Sequence, residues 1–148
     1  MLAALLPSFP VFLAAAPLPD DEMRQVEDAI EENIPEPALR PYFTRLLVAI
    51  RKAENGGPGR QFGVLHPKAK TYRQQAGWCS AIAWKRYEEW TELQNAPPYL
   101  VYLANRYAPT KNATNDPLLL NLHWLKNVRA FMGGPKDTWE PPRQNLES

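Results

Sequence analysis

Apolar residues recur every three or four positions along most of this chain, the period of an α-helix with one buried face. Met23, Val26 and Ile30 form a narrow stripe in an acidic stretch, predicting a helix from Asp20 to Asn33 that Asp20 or Asp21 caps. Phe43, Leu46, Leu47, Ile50 and Ala53 predict a strongly core-facing helix from Tyr42 to Glu54, with Arg45 and Lys52 on its solvent face. The glycine-rich turn Gly56-Gly57-Pro58-Gly59 is expected to stop it.

Tyr72, Ala76, Cys79, Ala83, Tyr87 and Trp90 fall on one stripe of a long helix from Thr71 to Leu93, and Thr71 with Gln74 has capping-box spacing. Trp78 and Trp84 fall off that stripe and suit either core or surface. A shorter helix runs from Pro98 to Arg106. The last one opens with Asn115 or Asp116 as cap and Pro117 at its first position. Leu118, Leu122, Leu125 and Val128 face inward there, thickened by Leu120, Trp124 and Phe131, and Gly133-Gly134 ends it. No strand of convincing length appears, although 63–65 suits a short extended piece. The expectation is an all-α fold: one compact domain of about five helices over residues 20–134, followed by a Pro-rich extended tail over 135–148.

Residues 1–19 are apolar and lack Lys and Arg. They read as an apolar N-terminal arm or as an export signal, with Ala14 to Ala16 before a cut and Pro7 and Pro10 against it. No stretch reaches the ~18 apolar residues of a membrane span. A single cysteine, Cys79, forms no internal disulfide and reads as a small buried apolar residue. Two histidines without further clustered ligands give no metal site, and no cofactor motif is present.

Charge changes the picture at one position. The net charge is +1, but eight of the 16 acids lie between Asp20 and Glu36. From Arg40 to Arg86 there are ten Lys or Arg and one acid, Glu54. Glu54 continues the apolar stripe of its helix and stands beside a turn whose glycines let a ligand approach backbone closely. That placement suits a general acid; a helix-ending Glu also serves as an ion-pair partner of a nearby Arg.

The stretch YFTRLLVAIRKAENGGPGRQFGVLHP at 42–67 carries a resemblance. A core helix with a terminal Glu, a polar turn, then Gly63-Val64-Leu65-His66 resembles the lysozyme-like superfamily, particularly lytic transglycosylases and related phage cell-wall lysins. His66 stands where that family usually has Gln, and Asn55 where it has Ser; NRYAPTKNATNDPLLLNLHWLKNV resembles the downstream part of its short members. The resemblance covers roughly residues 42–132 and implies a lysozyme-like fold that cleaves peptidoglycan glycan strands with Glu54 as acid. It implies Tyr107 as the residue orienting Glu54, and a helix-end packing role for Tyr107 is the alternative. Gln61, Gly63 and His66 become candidate substrate contacts, with His66 equally a surface residue of its turn; Asn121 and Trp124 either line the far wall or pack in the core or at the surface. A side chain at Gly63 is then expected to crowd the sugar.

Lytic transglycosylases, as the resemblance implies, use one Glu without a second carboxylate; no cofactor and a monomer are expected. Asp116 is the spare acid, so a hydrolytic muramidase or glucosaminidase stays open. The alternative is a non-catalytic binding or structural protein, such as a phage-particle component, using the basic stretch with Tyr72, Trp78, Trp84 and Tyr87 on wall polymers or nucleic acid. The near-neutral charge and the absence of a reading motif disfavour nucleic acid.

Overall fold

The computed structural model describes residues 17–107 and 117–143, with side chains at 17–105 and 123–143. Five α-helices follow in order: α1 Asp20–Asn33, α2 Arg40–Glu54, α3 Tyr72–Glu92, α4 Tyr99–Tyr107 and α5 Pro117–Met132. Short 3-10 turns occupy Pro37–Leu39 and Lys136–Thr138. No strand occurs among the described residues, and 63–65 form a loop. The fold is all-α.

α2 is the helix around which the others pack: it meets α5, α1 and α3, while α1 lies along α3. The period of its apolar residues explains this. Phe43, Leu46, Leu47 and Ile50 are fully buried, each contributing about 1.5–3 kcal/mol relative to exposure. Phe43 meets Trp84, Tyr87 and Tyr99 edge-on at 5.6–6.2 Å between ring centroids, a favoured aromatic geometry. Trp84, off the main stripe of α3, is partly buried and packs against the core. Cys79 is fully buried and forms no disulfide.

The helix ends follow local chemistry, with two corrections. The capping box at α3 forms as its spacing predicts: Gln74 N–H donates to Thr71 Oγ1, and Thr71 N–H donates to Gln74 Oε1, both at 3.1 Å. At α1, by contrast, Pro19 takes the cap position and no side chain caps the helix. Asp20, Asp21 and Glu22 instead fill the first turn, where negative charge complements the helix dipole. The stop of α2 is Asn55 rather than a glycine. Asn55 adopts the left-handed conformation (φ 45°) and its N–H donates to the Arg51 carbonyl at 3.0 Å.

The C-terminal segment is not a free tail over 135–143. Tyr42 Oη donates to the Trp139 carbonyl at 2.7 Å, and Tyr87 Oη to the Pro142 carbonyl at 3.1 Å. Glu140 accepts from the Tyr99 N–H, setting a carboxylate at the N-terminus of α4. The Arg143 guanidinium lies 4.4 Å from the Trp90 ring centroid. Leu18, at the described end of the N-terminal arm, is buried; residues 1–16, on which the choice between arm and signal rests, lie outside the described residues.

Arg45 is a further correction. It is not on the solvent face of α2 but is half-buried at the C-terminus of α5. Its Nε donates to the Met132 carbonyl at 2.9 Å and its Nη1 to the Thr138 carbonyl at 3.0 Å. Its Nη2 reaches the Gly133 carbonyl and, at 3.1 Å, the Thr138 hydroxyl. A cation on unpaired helix-end carbonyls is favourable. Arg45→Met keeps the stem and removes these bonds. It should cost about 2–4 kcal/mol and lower the Tm by roughly 5–15 °C in thermal denaturation. An unchanged Tm would mean that residues 132–138 hold their fold without Arg45.

Candidate functional site around Glu54

Glu54 is the last residue of α2 and half-buried. Its helix carries it to the edge of the core because Leu47 and Ile50, one or two turns earlier, are anchored there. From Asn55 the chain turns sharply. A Cβ on Gly56 would lie 1.7 Å from the Arg60 carbonyl oxygen, so this turn admits no side chain at that position. Arg60 N–H bonds the Gly57 carbonyl and Gly63 N–H bonds the Arg60 carbonyl, at 2.9 and 3.0 Å. The loop thereby returns Gly63 to the end of α2.

Gly63 lies directly on the Glu54 carboxyl group. A Cβ built on it would be 2.4 Å from Cδ, 2.5 Å from Oε2 and 2.8 Å from Oε1 of Glu54. Its φ of +71° is a second reason for glycine. Trp124 of α5 donates its indole N–H to Glu54 Oε1 at 2.9 Å. The carboxyl group is therefore in contact with the Gly63 backbone and bonded to an indole N–H.

Burial raises the pKa of Glu54 above the ordinary carboxylate value, and the Trp124 hydrogen bond holds it partly down. The opposing influence is an indole rather than the ion pair with a nearby Arg that the sequence left open. Arg51 pairs instead with Glu22 of α1 at 3.2 Å and lies 5.7 Å from the Tyr72 ring centroid. A second carboxylate sharing the site would add charge repulsion, and none among the described residues contributes to the shift of Glu54. Trp124→Phe keeps the ring and removes the donor. The Glu54 pKa should then rise further, read by carboxyl ¹³C NMR titration; an unchanged or lower value would show that the bond does not form.

The other expected site residues are spread out. Gln61 is half-buried, and its Oε1 finds no hydrogen-bond partner among the described residues. His66 stacks on Trp78 of α3, ring centroids 3.9 Å apart, and its Nδ1 accepts from the Lys68 N–H. Trp78 also borders a groove of about 490 Å³ between α1 and α3, lined by Glu32, Asn33, Arg73, Gln74, Gly77 and Ala81. Tyr107 closes α4 and Asn121 lies in the second turn of α5, but their side chains lie outside the described residues, as does Asp116. No group of three or more His, Cys, Asp or Glu side chains suited to a metal is found among the described residues, and none of their helices is long and apolar enough to cross a membrane.

Sequence reasoning missed one residue that shapes this site. Gln75, in the first turns of α3, is fully buried. Its Oε1 accepts from the N–H groups of Phe62 and Val64, both at 3.2 Å. Its Nε2 lies 2.7–2.9 Å from the carbonyl oxygens of Gly59, Val64 and Ala69, which share its two N–H hydrogens. A polar residue beside the buried Ala76 was the available signal, since a buried amide needs partners on both ends.

Against known proteins, no family model, no curated protein and no solved structure matches this chain.

Proposed function

We propose that this protein is a peptidoglycan-cleaving glycosidase of the lysozyme-like kind, acting on the MurNAc-GlcNAc backbone as a lytic transglycosylase with Glu54 as its one general acid and base. The supporting observation is the Glu54 carboxyl group itself. It ends the core helix, is held by Trp124, lies against Gly63, and sits where burial favours its protonated form.

A protonated Glu54 supplies what glycosidic cleavage first requires, a proton on the departing sugar oxygen as the C1–O bond breaks. The resulting carboxylate then takes the proton of the muramoyl 6-hydroxyl as that oxygen bonds C1. Glu54 ends protonated, no water is consumed, and the product carries a 1,6-anhydro end. A single acid suffices for this cycle, which fits a site whose described residues bring no second carboxylate to Glu54. If water replaces the 6-hydroxyl, the enzyme is a hydrolase and leaves a reducing end.

Muropeptide analysis of digested peptidoglycan tests the proposal. Anhydro ends support the transglycosylase and reducing ends a hydrolase; release of no muropeptides from any wall tested would favour the binding protein. That alternative has less to draw on in this fold, because the basic stretch is interrupted. Arg51, Arg73 and Arg86 pair with Glu22, Glu32 and Glu89, and Arg45 is spent on the end of α5.

A further inference from the structure

The Gln75 amide makes its five hydrogen-bond contacts to backbone groups of one loop, and three of them are to the residues that flank Gly63. Phe62 and Val64, the residues on either side of Gly63, both donate to the same Gln75 oxygen. Gly59 and Ala69, toward the two ends of the loop, both accept from its nitrogen. One side chain from α3 thus gathers the loop and fixes where Gly63 stands. Gly63 in turn lies in contact with Glu54.

We propose that Gln75 is a positioning residue for Glu54: by clasping the loop from Gly59 to Ala69 it seats Gly63 on the carboxyl group and closes that side of it to water. This deepens the glycosidase reading by naming the residue that maintains the environment of its acid.

The alternatives within the fold do not account for the clasp. The capping box of α3 uses Thr71 and Gln74, not Gln75. α1 is joined to α3 by Asn33, whose Nδ2 donates to Ser80 Oγ at 2.9 Å. Gln75 therefore serves the loop, and the loop's contact with α2 is where its effect is delivered. Among the described residues, the charged or titratable groups nearest along the packed elements are Arg51 and Lys52 on α2, Arg60 and His66 in the loop, and His123 and Lys126 beside Trp124. None of them contributes to the upward shift, whose cause is burial. Loosening the loop must therefore act on Glu54 by letting water in.

The test is a carboxyl ¹³C NMR titration of the full chain, wild type against Gln75→Met, without substrate. Methionine matches the length of Gln75 and forms none of its hydrogen bonds. Glu54 should titrate above the ordinary range in the wild type and fall back toward it in the variant. Amide exchange at Phe62 and Val64 should speed up roughly tenfold. Glu140 is an internal control. It too is held above the ordinary value by burial, but on the C-terminal segment, and its titration should not move.

Should Gln75→Met not fold, Gln75→Asn, which is one methylene too short to span the loop, takes its place. The proposal is overturned if a folded variant leaves Glu54 titrating as in the wild type. It is also overturned if Glu140 moves with Glu54, if neither variant folds, or if wild-type Glu54 titrates in the ordinary range. Because no substrate is present, these results stand apart from whether the protein cleaves peptidoglycan.

Discussion

Glu54→Gln is expected to end the release of muropeptides while leaving the fold intact or more stable at neutral pH. The substituted amide keeps the shape of the side chain and can still accept from the Trp124 indole. It has no proton to transfer, and positioned acid catalysis is worth roughly a hundred- to ten-thousand-fold. The stability half of the expectation follows from the raised pKa. The folded state holds the Glu54 proton more tightly than the unfolded chain does, so ionised Glu54 works against folding. That penalty is absent below the ordinary carboxylate value, grows as pH rises toward the raised folded value, and is fully present above it. Glutamine never carries it. The Tm of Glu54→Gln should therefore match or exceed that of the wild type at pH 7, with any advantage vanishing below about pH 4. Wild-type lysis by the variant would show that the acid is another residue. A variant less stable at pH 7 than at pH 4, relative to wild type, would show that the carboxylate is a favourable ion-pair partner instead.

What was legible in the sequence was what local chemistry determines. Helix period gave the buried faces of α2 and α3, and the spacing of Thr71 and Gln74 gave a capping box that forms. The same periodicity placed Glu54 at the edge of the core, because a residue one turn beyond Ile50 cannot leave that face. Long-range polar pairing was not legible. Arg45 follows a stripe residue by two positions and looks solvent-facing until the open carbonyls of Met132 and Gly133 are brought beside it. Gln75 looks like any polar residue early in a helix until the loop whose backbone groups it bonds is folded around it. The C-terminal segment was read by composition, and proline with polar residues suggests a loose chain. Its anchors are the carbonyls of Trp139 and Pro142 and the Glu140 carboxylate, which composition does not reveal. Trp124 was read as apolar bulk thickening α5 or as part of the far wall of the site, not as a hydrogen-bond donor to Glu54. Its indole N–H matters only because α5 lies against the end of α2.

Gly63→Ala should remove most of the activity at a modest cost in stability, and Gly59→Ala provides the matched comparison. Both glycines have positive φ, +71° and +79°, so alanine at either position costs roughly 1–2 kcal/mol in backbone strain. They differ in what the new methyl meets. At Gly59 it finds the Lys70 carbonyl at 3.4 Å, an ordinary contact. At Gly63 it falls 2.4 Å from Glu54 Cδ, where no two carbon atoms can rest. The obstacle is thus the acid itself, where sequence reasoning had expected the bound sugar. Because the atoms struck belong to the end of a flexible side chain, the easiest relief is for Glu54 to swing aside and give up its bond to Trp124. A displacement of about 1 Å at a reacting group can cost a hundredfold. Thermal melts, lysis rates and the Trp124 indole N–H resonance should be recorded on both variants under conditions where each is folded. Similar losses of Tm are expected, with lysis and the indole resonance changed in Gly63→Ala alone. Equal loss of lysis in the two variants would mean that Gly63 matters for the path of the loop and not for the seat of Glu54.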